Sequence, residues 1–467
     1  MSRRQEGATG TPPGEGGAPN SPSTVPARAK REGEKAGSPS RWSWVEPTIW
    51  TLRRVQALRD GVKGGVWYSL WDKVLTPRAL EVGFAKVKSN QGAAGVDHVS
   101  IEAFERNKER YLGELHASLK AGQYRPAAIR RSYIPKSGSK ELRPLGIPTV
   151  RDRVVQTALR AAIEPIFERE FAEHSYGFRP EHHAHQAIER VERLLCEGFR
   201  WVVDVDLKSY FDTIPHATLM DLVRRRIADG RVLGLIEAFL KQPVAEEGRR
   251  WTPTVGVPQG AVVSPVLANV FLDPLDHLMA DAGFAMTRYA DDFVIQCRTE
   301  EEARRALAEV TRWCEQVGLT IHPSKTRIVC VSVTEGFDFL GYHFRQHRDD
   351  PKRVKMWPRN KSVAGLRDKL RPLTRRVNGH SMQEILRRVN RVLRGFFNYF
   401  CKSVRTPLRE IDEWVRSRIR AILRRRRHLR GVSRGQDHVR WTNAYLENLG
   451  LFSLAKALEE TAHPPSG

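Results

Sequence analysis

Cysteine is scarce in this 467-residue chain: there are five, at positions 196, 297, 314, 330 and 401, with no Cys-x-x-Cys pair. An odd number without paired spacing indicates neither a disulfide framework nor a zinc knuckle, and it fits a reducing, cytoplasmic setting without zinc. Long apolar runs are missing too. None approaches the ~18 residues that a membrane span needs, and Met1-Ser2-Arg3-Arg4 leads into Gly and Pro rather than an apolar signal core, so no membrane partner is expected. Residues 1–40 lack Leu, Ile, Phe, Trp and Tyr while holding seven Gly, six Pro and five Ser. Such a segment cannot bury enough apolar area to offset chain entropy, and it reads as a disordered tail. Acid is short as well: 54 Asp and Glu stand against 78 Lys and Arg, a net charge of +24. That field concentrates polyanions and makes nucleic acid the leading partner, although a basic surface can also be merely solvated.

What is present supports a folded protein of several domains. With 40% hydrophobic and 28% charged residues, collagen-like, mucin-like and wholly disordered classes are excluded for the bulk of the chain. Aromatics begin at Trp42, Trp44, Trp50, Trp67 and Trp71, and residues 41–84 read as an N-terminal helical extension. Residues 85–350 alternate strand-like runs (201–206, 284–289, 293–297, 326–331) with helix-like ones (154–171, 301–316), an α+β pattern. Residues 351–467 carry 28 Lys and Arg against 9 Asp and Glu, +19 of the whole chain's +24. There Ile385, Leu386, Val389, Val392, Leu393, Phe396 and Phe397 recur at helical spacing with arginines opposite, which predicts a separate basic helical domain. The consecutive Arg424, Arg425, Arg426 and Arg427 would repel one another without a polyanion, so this run is the candidate RNA-binding surface.

The sharpest local feature is Tyr289-Ala290-Asp291-Asp292 between two strand-like runs, which places two carboxylates at a hairpin tip. Their charges repel unless a cation or hydrogen-bond donors lie between them, but Asp in turns is also common for local hydrogen-bonding reasons alone. A second source of carboxylates is the alternating run 201–206, in which Asp204 and Asp206 share one face. If this strand pairs beside the hairpin, Asp206 approaches Asp291, and the group can hold two Mg2+ ions ~4 Å apart, the arrangement of nucleotidyl transfer.

These residues carry a resemblance. Tyr289-Ala290-Asp291-Asp292 resembles the reverse transcriptase signature, and the blocks around it resemble, in order, the reverse transcriptase and maturase proteins encoded by bacterial group II introns. The blocks are Gly92-Ala93-Ala94-Gly95-Val96-Asp97, Tyr133-Ile134-Pro135-Lys136, Arg143-Pro144-Leu145-Gly146, Ser175-Tyr176-Gly177-Phe178-Arg179-Pro180, Pro258-Gln259-Gly260, Ser324-Lys325-Thr326, Phe337-Asp338-Phe339-Leu340-Gly341-Tyr342 and Arg394-Gly395-Phe396-Phe397-Asn398-Tyr399. The resemblance implies a right-hand polymerase of fingers and palm, followed by an all-α thumb/maturase (X) domain. It implies an RNA-directed DNA polymerase using two Mg2+ ions, with Mn2+ as a substitute, held by Asp206, Asp291, Asp292 and the Leu207 backbone carbonyl. Lys136, Arg143, Phe211, Gln259 and Lys325 would bind dNTPs, and Gly260, Gly341 and Tyr342 would meet template and primer. The ring of Phe211, or that of Tyr210, would exclude a 2′-hydroxyl by its bulk. Ser264 and Pro265 read as N-cap and first position of a helix beside the templating loop.

The implied partners are group II intron RNA, an RNA template, a DNA or RNA primer and a DNA target. Many members continue into a Cys-rich endonuclease domain; this chain carries no such cysteine pattern, so target-strand nicking is not expected. Two other readings stay open: a related reverse transcriptase serving defence or CRISPR spacer acquisition, and an RNA-binding splicing factor whose polymerase site is dead.

Overall fold

The apolar alternation of residues 201–206 and 292–297 builds the sheet on which the molecule is organised. The computed structural model describes residues 41–135, 142–429, 431 and 435–462; the tail 1–40 and Lys136 lie outside these. Eleven strands form three sheets among the described residues: β1 (Ile129–Pro135), β2 (Leu142–Ile147), β3 (Trp201–Asp206), β4 (Val244–Glu246), β5 (Arg249–Trp251), β6 (Ala285–Tyr289), β7 (Asp292–Cys297), β8 (Arg327–Cys330), β9 (Gly336–Phe339), β10 (Tyr342–Gln346) and β11 (Val354–Pro358). The orders are β2-β1-β4-β5, β6-β7-β3-β8 and β11-β10-β9. This is the expected α+β architecture of fingers and palm followed by a helical region.

In β3 the valines 202, 203 and 205 are buried while Asp204 and Asp206 keep partial access to water. Both faces of the palm sheet are covered, which is why β7 is apolar almost throughout. On one face lie the helices Ser264–Asp281 and Glu300–Val317 within a core that runs back through Val150–Glu168 to Trp42 and Trp50. The other face packs against the helix Ala184–Cys196 and the sheet β9–β11. The helix Val150–Glu168 starts where Thr149 Oγ1 accepts the Asp152 amide at 3.1 Å, four residues before the run 154–171 read from the sequence.

Two expectations shift. The helix after the loop Pro258-Gln259-Gly260 begins at Ser264, with Val263 as N-cap and no capping side chain, so Ser264 is not the cap. Its buried hydroxyl takes no part in the helix end. The chain also remains in the sheet beyond residue 350: β11 pairs with β10 from Val354 to Pro358, and the helical region starts at Asn360. There the helix Met382–Phe400 buries Ile385, Leu386, Val389 and Leu393 in a core shared with Asn360–Leu373, Arg405–Arg426 and Leu454–Ala462, as the periodicity predicts.

Candidate nucleotidyl-transfer site

The ladder between β3 and β7 sets Asp206 directly opposite Asp292 and Asp204 opposite Val294. β6 and β7 are joined by a two-residue turn, Ala290-Asp291, closed by the pair Tyr289 and Asp292. Ala290 has φ 60°, the left-handed value that a type II′ turn requires at its first position and a costly one for a residue with a Cβ. Two strand ends thus bring the three aspartates predicted from sequence to one edge of the sheet.

The electrostatics reflect that crowding. Burial, then Asp204 and Asp291, push the Asp292 carboxyl up to about 7, even though the residue still reaches solvent. Burial also raises Asp291, with Arg143 acting against it and Asp206 adding to it. Asp204 is raised by burial and partly relieved by Arg327, whose Nε lies 3.4 Å from its carboxylate. Lys325 Nζ sits 3.3 Å from Asp206. Among the described residues no three His, Cys, Asp or Glu side chains are drawn into a ready-made metal cage. The donors at the sheet edge are all oxygens, a set suited to hard divalent cations and unsuited to zinc.

Leu207 follows Asp206 and bridges Ile321. The bonds of that bridge run from His322 N to Asp206 O and from Lys208 N to Thr320 O. This pattern turns Leu207's own peptide groups the other way, toward the hairpin side. Tyr210 and Phe211 part company: Tyr210 is 2% exposed and its hydroxyl donates to Ala268 O at 2.6 Å, whereas Phe211 is half-buried, edge-on to Phe178 with ring centres 6.4 Å apart. Of the two, Phe211 is the ring that can face a sugar.

The loop Pro258-Gln259-Gly260 is fastened to the fingers. Gly146 N donates to Gln259 O at 2.7 Å, and a Cβ on Gly260, which has φ 101°, would stand 2.5 Å from Gly146 O. Gln259 Nε2 reaches Asp212 at 3.4 Å. Behind Gly260 opens a cleft of about 670 Å³ whose walls include Lys86, Arg153, Arg160, Phe178 and Pro265.

Gly341 turns between β9 and β10 with φ 84°, its carbonyl accepting from Arg359 N and Ser362 Oγ. Tyr342 does not face primer. It is fully buried, and its hydroxyl donates to Tyr399 O at 2.6 Å, so it supports the turn from beneath. Arg424 is also corrected: its side chain is mostly buried against Asp437, Nη1 to Oδ2 at 3.0 Å, so it is not part of an exposed basic run. Arg425, Arg426 and Arg427 remain exposed.

Sequence reasoning missed Arg288, which lies inside β6 with no exposure and binds Asp276, Asn269 and the Ala290 carbonyl. The available signal was an arginine inside a strand-like run; its partners on the helix Ser264–Asp281 were not legible.

Comparison with known proteins gives this geometry its context. Residues 134–344 match the family model described as reverse transcriptase (RNA-dependent DNA polymerase), and residues 363–441 match the group II intron, maturase-specific domain. Protein YkfC of Escherichia coli K12 is 36% identical over 299 residues, which cover 56% of this chain and 78% of that protein. The group II intron-encoded protein LtrA of Lactococcus lactis subsp. cremoris is 36% identical over 237 residues, 50% of this chain and 39% of LtrA. An uncharacterized 91 kDa protein in the cob intron of Schizosaccharomyces pombe is 29% identical over 337 residues, 58% of this chain and 40% of that protein. This chain thus spans well under half the length of LtrA. No helix among the described residues is long and apolar enough to cross a membrane. With a reverse transcriptase domain, a maturase-specific domain and these relatives, the chain belongs to the family of group II intron-encoded reverse transcriptases and maturases.

Proposed function

We propose that this chain copies RNA into DNA at the Asp206–Asp291–Asp292 edge of the palm, and that its helical region binds the host intron RNA as a maturase, supporting splicing and mobility. The observation that carries the reading is the pairing of Asp206 with Asp292 beside the strained Ala290 turn that presents Asp291, whose carboxylate the charge of Arg143 helps to hold ionised. Two Mg2+ ions, or Mn2+ in their place, would supply the acidification of a primer 3′-hydroxyl and the neutralisation of the pyrophosphate leaving group. Asp206, Asp291, Asp292 and the Leu207 carbonyl would hold them.

The remaining work falls to the protein's own groups. Arg143 and Lys325 offset triphosphate charge, a role the sequence motif extends to Lys136. Lys325 Nζ lies 3.3 Å from Asp206, which keeps its ammonium at the carboxylate edge where the triphosphate would sit. Phe211 occupies the space a ribose 2′-hydroxyl would need. Gln259 and Gly260 present backbone close to the nascent base pair, and Gly341 supports the primer end. Arg425, Arg426 and Arg427 contact RNA phosphates, and the free cysteines suit a cytoplasmic setting.

The maturase-specific match over residues 363–441 favours an intron host over a defence or CRISPR role, and the intact carboxylates count against a splicing factor without polymerase activity. Primer extension on an RNA template is the test. Asp291→Ala and Asp206→Ala should reduce Mg2+-dependent dNTP incorporation to background while RNA affinity stays within about twofold; synthesis at the wild-type rate in either variant would refute the site.

A further inference from the structure

The catalytic turn is held from two sides, and both holds lead to one helix. Arg288, two residues before Ala290, is wholly buried in β6. Its Nε donates to Asp276 Oδ1 at 2.8 Å and Oδ2 at 3.0 Å, and its Nη2 makes a further short bond to Oδ2. Its Nη1 is shared between Asn269 Oδ1 at 2.9 Å and the Ala290 carbonyl at 2.8 Å. The second hold is Gly177. Asn269 Nδ2 donates to its carbonyl at 2.8 Å, and a Cβ at this glycine would stand 2.1 Å from Ala290 N. The segment is kept there by Arg288 N to His174 O at 3.0 Å and Tyr176 N to Arg288 O at 2.9 Å.

Asn269 and Asp276 are seven residues apart, two turns along the same face of the helix Ser264–Asp281. That helix begins directly after the templating loop, whose Val262 N donates to Gln156 Oε1 at 2.7 Å. The loop that meets the template and the turn that carries Asp291 therefore hang on one rigid element.

A buried ion pair alone gives little net stability, because desolvation offsets the attraction. A guanidinium that spends one donor on a turn carbonyl does something a lone pair does not: it fixes the direction of that peptide. The φ of 60° at Ala290 is disfavoured for a residue with a Cβ and persists only where its surroundings over-determine it. Arg288 grips the carbonyl side of Ala290, and Gly177 closes on its nitrogen side.

We propose that Arg288 is a positioning residue for divalent-cation binding: through Asn269, Asp276 and Gly177 it locks the Ala290 turn so that the Asp291 carboxylate is pre-aimed at Asp206. The inference rests on the proposed polymerase site. Lysine cannot replace the residue, since a single ammonium cannot span Asp276, Asn269 and the Ala290 carbonyl with fixed fork geometry.

The experiment compares wild-type full-length protein with Arg288→Lys and Asn269→Ala, using Mn2+ as the probe and electron paramagnetic resonance to count free ion. Asp291→Ala marks which binding belongs to the carboxylates. Arg288→Lys should weaken the Asp291-dependent Mn2+ sites about tenfold or more, the usual loss when the groups that orient a metal ligand are changed. Half-saturating Mg2+ in primer extension should rise in parallel, while dNTP KM at saturating Mg2+ moves less than about twofold and circular dichroism stays that of wild type. Asn269→Ala, which leaves the ion pair with Asp276 intact, should produce the same shift in smaller degree, and it carries the test if Arg288→Lys does not fold. Unchanged Mn2+ affinity in the folded variants would overturn the positioning role and leave the polymerase site standing. Absence of any Asp291-dependent Mn2+ binding in wild-type protein would overturn both.

Discussion

Asp206 and Asp292 face each other across β3 and β7 although 85 positions separate them in the sequence. In an antiparallel ladder a directly opposed pair shares one side of the sheet. Like charges so placed are destabilising on their own, which is why this edge of the palm needs a cation or a proton.

Burial of the Asp292 carboxyl, with the neighbouring carboxylates adding to it, has a stability signature. The folded pKa of Asp292, about 7, lies above the ordinary carboxylate value, so the folded protein holds this proton more tightly than the unfolded chain does. As pH rises from about 4 to 7, metal-free protein loses the stability this proton provides. Asp292→Asn should therefore raise the melting temperature of metal-free protein at pH 8, with the gain vanishing near pH 4, while abolishing polymerisation. Thermal melts in a chelator across this range check it; a lower melting temperature at pH 8 would contradict the raised pKa of Asp292.

Phe211 stands half-buried against Phe178, whereas Tyr210 is committed to the core. Phe211→Ala should lower discrimination of dNTP over NTP by roughly tenfold or more, measured as the ratio of kcat/KM values. Tyr210→Phe should leave that ratio unchanged and act on stability, by about 1 kcal/mol, through the lost bond to Ala268.

The arginine run divides in the same way. Changing Arg425, Arg426 and Arg427 together to Ala should weaken RNA binding and reduce the slope of log K against log salt by about two to three. Arg424→Ala should instead act on stability, by about 1–3 kcal/mol, because it removes an ion pair from the buried Asp437 carboxylate. Filter binding at several salt concentrations, alongside denaturant unfolding, separates the two effects.

His174 lies beside the strand that carries Arg288. Burial, then Arg190 and Arg193, push its imidazole down to about 3. Its folded pKa is below the unfolded value, so its neutral form supports the fold above about pH 6.5, and that contribution is lost as pH falls toward 3, by about 1.4 kcal/mol per unit. His174→Asn should flatten this part of the acid dependence. Urea unfolding at pH 7 and pH 5 gives the comparison; an unaltered slope would place the acid sensitivity elsewhere.

Much of the palm was legible because strands alternate. Val202, Val203 and Val205 against Asp204 and Asp206, and the apolar run after Asp292, announce their faces without knowledge of the partner strand. The helix Met382–Phe400 declared itself by its 3.6-residue period in the same manner. Local signals misled where contacts were distant. Ser264 looked like a cap, yet Val263 already has helical dihedrals. Tyr342 follows the Gly341 turn and looked available to a primer, but the helix Met382–Phe400 covers it. Arg424 shared the look of its three neighbours until Asp437 folded back onto it.

By itself the order of residues determined the strands that carry the carboxylates, the helix around residues 385–397, and that the last quarter of the chain holds most of the net positive charge, since all of these follow from short-range periodicity and composition. Only the tertiary structure decided that Asp206 meets Asp292, that Phe211 rather than Tyr210 stays accessible, and that Arg288 grips the Ala290 turn. Those outcomes depend on registers between strands and on one helix laid across a sheet, contacts whose energies arise between residues far apart along the chain.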